Sequence, residues 1–408
     1  MPVVRQTAAE QAQATGRRRP SFHTLTVAEV RRLTEDAIEV TFAVPAELAG
    51  HFDYLPGQYV ALRTTLPDEA GEPKEIRRSY SICAEPRSFA DGSSEIRVAI
   101  KKDLGGLFST WANAELKAGD TLDVMSPMGA FVSKHGRDGQ AVEQNVMNSM
   151  NHPEELAGEP GSFVAIAAGS GITPVIAIAR TLLAANPDTR FDLIYANKAA
   201  MDVMFLEELA DLKDRYPSRL ALHHVLSREQ RIAPLLSGRI DAEKLRALLG
   251  TAIHADDVDE WFLCGPFELV QLCRDTLAER GVKPEHVRFE LFTSGKPDRP
   301  EGNAGRPVSE DASADTYKIT FKLDGLQGDV TSPTHARESI LNAALRVRPD
   351  VPFACAGGVC GTCRAKLVTG TVTMDENYAL EQDELDRGYV LTCQSHPTSK
   401  EVTVDFDV

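Results

Sequence analysis

No run of apolar residues in this 408-residue chain approaches the roughly 20 that a membrane-spanning helix requires. The first twenty residues hold Arg5, Arg17, Arg18 and Arg19 but lack the apolar core of a secretory signal, so 1–20 read as a disordered tail. An excess of basic charge is missing too. With 60 acidic residues against 44 Lys and Arg, the formal net charge of −16 repels phosphates and speaks against nucleic acid as a partner. Seven cysteines are an odd number, four of them crowded near the C-terminus. Without a secretion signal they point to metal or redox chemistry in the cytoplasm, not to a disulfide framework. No internal repeat is present. What remains is a globular composition, 42% hydrophobic and 25% charged, in a chain long enough for about two to four domains.

From Ser21 the chain alternates apolar and polar residues in short segments: FHTLTVAEV, AIEVTFAV, GQYVALRT, RRSYSICA, EIRVAIKK and TLDVMSPM. Turn residues separate them at the spacing of a β-barrel or sandwich, which assigns 21–133 to an all-β domain. Residues 134–160 are polar and irregular and read as an interdomain connection. From 161 to 293 the pattern changes to wholly apolar strands (FVAIA, FDLIYA, LALHHVL, EWFLCGP, VRFELF) alternating with helical segments. That predicts a parallel sheet covered on both faces. His223 and His224 are neighbours in one such strand, point to opposite faces and cannot chelate one metal together. Residues 294–315, dense in Pro, Gly, Asp and Ser, read as a flexible linker, and TYKITFKL opens a third domain over 316–408.

The segment PFACAGGVCGTCRAKLVTG spaces Cys355, Cys360 and Cys363 as C-x4-C-x2-C, with Cys393 following in VLTCQ. This is the ligand spacing of a plant-type [2Fe–2S] cluster, which carries single electrons at a low potential, on the order of −400 mV. Curling three sulfurs inward demands backbone conformations that Gly357, Gly358 and Gly361 permit. The small neighbours Ala354, Ala356 and Thr362 leave room for N–H groups to approach sulfur. A structural zinc site usually pairs two C-x2-C knuckles, and only one exists here. Cys83 and Cys273 sit in apolar settings and read as core residues.

Arg78, Tyr80 and Ser81 form R-x-Y-S within a strand, where an Arg suits a phosphate and an aromatic suits a flat ring. Upstream lies LPGQYVAL. Downstream, Lys101 precedes Gly105 and Gly106, and a helix containing Ser109 follows, an arrangement able to hold a pyrophosphate at a helix N-terminus. Further on, Gly169-Ser170-Gly171-Ile172-Thr173-Pro174 follows a strand and opens a helix, with Thr173 expected as N-cap and Pro174 at the first helical position. The third glycine of the generic dinucleotide fingerprint is lacking, Pro standing in its place. Lacking too is an acidic residue after the second strand, which ends in Asn197 and Lys198.

Together, in this order, these pieces resemble the ferredoxin–NADP reductase superfamily extended by a C-terminal plant-type ferredoxin domain. The resemblance implies an antiparallel β-barrel flavin domain, an α/β parallel-sheet nucleotide domain and an α+β β-grasp ferredoxin domain. It implies that Arg78, Lys101, Gly105, Gly106 and Ser109 serve the flavin phosphates, that Tyr80 packs on the isoalloxazine and that the Ser81 hydroxyl reaches flavin N5. FAD is expected over FMN because of the glycine-rich segment. Gly169, Gly171, Thr173 and Pro174 fall in the pyrophosphate turn, and Cys264, Gly265 and Pro266 beside the nicotinamide. Ser227 and Arg228, in Ser227-Arg228-Glu229-Gln230, match the segment that grips the 2′-phosphate of NADPH, with NADH as the alternative. Tyr80, Ser81 and Cys264 are the expected catalytic group.

Finer features, above all DENYALEQDELDRGYVLTCQSHP, resemble the reductase components of phenylacetyl-CoA 1,2-epoxygenase, the ring-epoxidising complex of phenylacetate catabolism. That resemblance implies electron delivery from NADPH through FAD and the cluster to a multisubunit oxygenase. The rivals are a reductase serving a Rieske-type ring- or steroid-hydroxylating oxygenase and a non-catalytic electron carrier.

Overall fold

The computed structural model describes residues 3–6, 21–67, 71, 73–103, 106–129, 131–135, 160–251, 253, 258–292, 315–323, 325–348, 351–353, 358, 361–375, 377, 379–380 and 382–407. They fall into two compact units, one within 22–76 and 80–295, the other within 1–21, 77–79 and 296–408. A first strand, β1 (Val3–Gln6), belongs to the second unit.

The first unit opens with β2 (Phe22–Thr34), β3 (Ala37–Val44), β4 (Tyr59–Pro67), β5 (Pro73–Ser81), β6 (Arg87–Ser88), β7 (Ser94–Lys101) and β8 (Thr121–Met125), with helix α1 (Leu107–Glu115) between the last two. They form one sheet in the order β5-β4-β8-β2-β3-β7-β6. A bridge from Ile82, just past β5, to Val98 of β7 closes it into a barrel. Every expected strand is present. The two-residue β6 was not foreseen, because Arg87 and Ser88 carry no alternation to read. Inward residues such as Leu25, Val40, Phe42, Leu62, Ile96 and Val98 fill the interior.

Residues beyond 160 build β9 (Ser162–Ala168), α2 (Ile172–Ala185), β10 (Arg190–Asn197), α3 (Leu206–Arg215), β11 (Leu220–Leu226), α4 (Ala242–Thr251), β12 (Glu260–Gly265), α5 (Phe267–Glu279) and β13 (Val287–Leu291). All strands are parallel, in the order β11-β10-β9-β12-β13, with apolar clusters on both faces. The chain therefore reverses direction across the sheet between β9 and β12. Open α/β sheets bind their ligands at such a switch point, beyond the strand C-termini.

Barrel and parallel sheet share part of one core. Phe131 meets Phe262 edge-on at 5.7 Å, and Cys83 lies in the same cluster. Arg31 on β2 bonds Glu39 at 2.9 Å and also pairs with Glu208 on α3. The expected connection over 134–160 lies outside the described residues except at its ends, where Glu260 accepts from the Lys134 amide at 2.9 Å.

In the second unit, β14 (Thr316–Leu323), β15 (Leu326–Pro333), β16 (Arg364–Thr369), β18 (Tyr389–Leu391) and β20 (Glu401–Asp405) form a mixed sheet in the order β15-β14-β20-β16-β18. Helix α6 (Ile340–Leu345) packs its apolar residues into the core beneath it. A smaller sheet joins β1, β17 (Thr371–Met374) and β19 (Ser395–Pro397), and α7 (Gln382–Asp386) completes the unit. The tail expected to be disordered thus contributes β1, paired in parallel with β17 from Val3↔Thr371 to Gln6↔Met374. The reason is an open strand edge: β17 offers unpaired backbone, and VVRQ has the β-branched residues to occupy it.

Candidate functional site

The R-x-Y-S strand ends where barrel and parallel sheet meet. Arg78 is exposed and donates to its neighbour Arg77's carbonyl at 2.7 Å. The half-buried Tyr80 ring lies 5.7 Å from Phe108 on α1, which in turn packs against Trp111. Lys101, at the end of β7, is paired with Asp36 at 3.1 Å. Gly105 lies outside the described residues. Gly106 is the N-cap of α1 and supplies no side-chain cap. A Cβ there would sit 2.6 Å from Ser109 Oγ. Ser109 Oγ itself accepts from the Asp103 amide at 3.0 Å, fastening the turn. The first amides of α1 therefore have no side-chain acceptor, which fits a phosphate group.

At the switch point, Gly169–Gly171 form a single 3-10 turn that runs directly into α2 at Ile172. This corrects the expected helix start. Gly171, not Thr173, is the N-cap, because the tight turn extends the helix backwards. Thr173 lies inside the first turn, and its hydroxyl donates to the Ser170 carbonyl at 3.0 Å. Pro174 follows it there and not at the first helical position. Gly171 is required by close approach: a Cβ would lie 2.2 Å from the Cys264 carbonyl oxygen. Gly265, with φ +156°, is packed less tightly: a Cβ there would lie 3.1 Å from the Ala168 Cβ. Pro266 is the N-cap of α5, again without a side-chain cap. Two helix starts without side-chain caps thus follow adjacent strands, which fits a dinucleotide.

Ser227, Arg228 and Lys198 are exposed at the far side of this sheet edge. The Ser227 amide donates to the Asn197 carbonyl at 2.9 Å and the Arg228 amide to the Lys198 carbonyl at 2.8 Å. These bonds hold the two cationic loops side by side. Asn197 Nδ2 is buried without a hydrogen-bond partner among the described residues.

One residue that sequence reasoning passed over is Glu290. VRFELF is legible only as a strand, yet β13 pairs with β12 so that Cys264 lies beside Glu290. Across the junction the Ser81 hydroxyl donates to Glu290 Oε2 at 3.1 Å. Ser81, Cys264 and Glu290 thereby meet from three strands. Burial, and then the Glu290 charge, push the Cys264 thiol well above its ordinary pKa, so it stays protonated.

In the C-terminal unit, Cys355 and Cys360 lie outside the described residues. Cys363 and Cys393 are both buried, in turns that flank β16 and β18. Gly358 and Gly361 take φ of +79° and +70°, the conformations anticipated for a tight ligand loop. The described half of the donor set therefore fits a thiolate-bound cluster.

Comparison with known proteins follows the same division. Family models match an oxidoreductase FAD-binding domain at 24–132, an oxidoreductase NAD-binding domain at 165–275 and a 2Fe-2S iron-sulfur cluster binding domain at 324–398. The chain is 41% identical over 387 residues to a subunit of the 1,2-phenylacetyl-CoA epoxidase of Escherichia coli K12, covering 95% of this chain and 98% of that one. It belongs to the ferredoxin–NADP reductase superfamily, in the branch that ends in a [2Fe–2S] domain.

A second relative in this branch is the ferredoxin reductase component of 3-ketosteroid-9-alpha-monooxygenase from Rhodococcus rhodochrous, 30% identical, with 94% and 96% of the two chains covered. Among solved structures, the FAD/NAD-binding domain of a Vibrio cholerae nitric oxide dioxygenase matches with a TM-score of 0.52 at 23% identity, over 67% of this chain and 98% of that one. An intact type IV self-sufficient cytochrome P450 monooxygenase matches at 0.51 and 19% identity, over 98% of this chain and 44% of that one. The chain is an oxidoreductase with FAD-, NAD- and [2Fe–2S]-binding domains. No helix among the described residues is long and apolar enough to cross a membrane.

Proposed function

We propose that this reductase takes electrons from NADPH and delivers them to the phenylacetyl-CoA epoxygenase of phenylacetate catabolism, in the cytoplasm. The observation that carries this reading is the 41% identity to the epoxidase component, over an alignment that spans nearly both full lengths. Bound FAD would accept a hydride from NADPH, and a cluster on Cys355, Cys360, Cys363 and Cys393 would pass electrons singly to the oxygenase.

The chain's own residues prepare that transfer. Arg78 and the start of α1 hold the flavin phosphates, and Tyr80, backed by Phe108, gives the ring system a flat wall. The amides of the Gly169–Gly171 turn and of the first turn of α2 bind the NADPH pyrophosphate. Lys198, Ser227 and Arg228 face the 2′-phosphate, with Arg228 as the bidentate donor. The Ser81 hydroxyl, held by Glu290, is the hydrogen-bonding group at the flavin edge, and the Glu290 carboxylate is the base that takes up a proton passed through it. Cys264, kept as a neutral thiol, closes the nicotinamide side against water.

Reconstitution decides between partners. The purified reductase should support phenylacetyl-CoA-dependent NADPH consumption with the other epoxygenase components. The second reading, service to a Rieske-type oxygenase, has the steroid-monooxygenase relative in its favour. Coupling only to such an oxygenase would overturn the first.

A further inference from the structure

Thr392 stands immediately before one expected cluster ligand and binds the backbone of another. It is fully buried, and its hydroxyl donates to the Cys363 carbonyl at 2.9 Å. Its amide donates to the same oxygen at 3.2 Å, so both lone pairs of that carbonyl are filled from a single residue. The Thr392 carbonyl accepts from the Leu341 amide of α6 at 2.9 Å. The turn carrying Cys363, the turn carrying Cys393 and the core helix are thus joined through one residue.

We infer that Thr392 is a positioning residue for the cluster: it fixes the separation of the two ligand-bearing turns and thereby sets how firmly, and with what electronic geometry, the cluster is held. This rests on the cluster assignment made above. A backbone bond alone would leave the turns free to slide about one shared oxygen. Adding a hydroxyl from the same residue restricts the direction of approach, and buried hydrogen bonds of this kind tolerate no replacement by water.

The test uses full-length protein purified with its cluster and compares Thr392→Val, Thr392→Ser and, as a control, Ser395→Ala. Valine keeps the volume and removes the hydroxyl. Serine keeps the hydroxyl. Ser395 is equally buried, and its hydroxyl donates at 2.8 Å to Leu391, not to a ligand-bearing residue. Cluster loss to an iron chelator, the electron paramagnetic resonance spectrum of the reduced cluster and its reduction potential are measured for each. Thr392→Val should lose its cluster about tenfold faster, the factor expected for one buried hydrogen bond, and shift both spectrum and potential. Thr392→Ser should match the wild type in all three, and Ser395→Ala should lower thermal stability while leaving spectrum and potential in place. The inference is overturned if Thr392→Val keeps the wild-type spectrum and potential. It is equally overturned if Ser395→Ala shifts them as much, since general loosening of the fold would then explain the effect. Protein that binds no iron at all in the wild type would refute the cluster assignment itself.

Discussion

Replacing Gly171 by alanine tests the proposed nicotinamide crevice at its tightest point. The new Cβ would stand 2.2 Å from the Cys264 carbonyl oxygen, 2.6 Å from its carbon and 3.0 Å from the Gly265 nitrogen. Ordinary contact begins at 3.4 Å, so the end of β12 and the turn before α2 must separate by about 1 Å. All three atoms are backbone, and no rotamer change relieves the overlap. Overpacking of this kind costs about 1–3 kcal/mol of stability. The larger effect falls on catalysis, because a displacement of about 1 Å in a reacting pair costs on the order of 10²-fold in rate. Anaerobic stopped-flow reduction of the bound flavin by NADPH, read as loss of its visible band, measures that step directly. Gly169→Ala is the matched control. Its φ of +53° imposes strain of about 1–2 kcal/mol, but the added Cβ meets nothing within 4 Å and leaves Cys264 in place. Gly171→Ala should therefore slow flavin reduction far more than Gly169→Ala. If Gly171→Ala reduces its flavin within about twofold of the wild-type rate, the crevice between β9 and β12 is not where the nicotinamide lies.

Ser81→Ala should slow flavin reduction by about 10²-fold with little change in NADPH affinity, since a donor at the reacting edge acts in the transition state. Glu290→Gln, which keeps a partner for Ser81 but loses the charge, should fall between it and the wild type in the same stopped-flow assay. Arg228→Glu should lower kcat/KM for NADPH by about 10- to 100-fold while sparing NADH, and an equal loss for both would remove Arg228 from the 2′-phosphate site. Burial pushes the Cys273 thiol from 9.0 up to about 12, and Cys83 and Cys264 in the same direction. Above pH 9 the unfolded chain gives up these protons and the folded chain keeps them. Stability should therefore fall as pH rises, by about 1.4 kcal/mol per pH unit for Cys273 alone until about pH 12. Urea midpoints across this range should fall less steeply for Cys273→Ala.

The barrel and the parallel sheet were legible because burial along their strands follows the side-chain period. In β2, Leu25 and Val27 are buried between exposed Thr24, Thr26 and Ala28, whereas in β9 Phe163 through Ala167 are buried without a break. Gly171 and Gly265 were legible as glycines but not for their reason. What forbids a side chain at Gly171, and leaves little room for one at Gly265, is the approach of the chain at the ends of β9 and β12, about ninety residues apart, which only the strand order reveals. Glu290 was invisible for a related cause: its partner Ser81 comes from another sheet, 209 residues away. Thr392 reads as an ordinary strand residue in VLTCQ until its bonds to Cys363 are seen. At β1, four residues of the N-terminal tail found a strand edge that local composition could not announce.

The bond from Thr392 to Cys363 also fixes a sequence of assembly. Cys363 acquires its partner turn only when residues 392 and 393 of a 408-residue chain have been made, long after the barrel and the nucleotide sheet have everything they need to fold. In the proposed reading the outlet for electrons is therefore finished after the inlet, and it is finished with iron. Under that reading, a cell short of iron would accumulate molecules able to draw on the nicotinamide with nowhere orderly to send the electrons. The supply of metal would then decide, through one late turn, which molecules are complete.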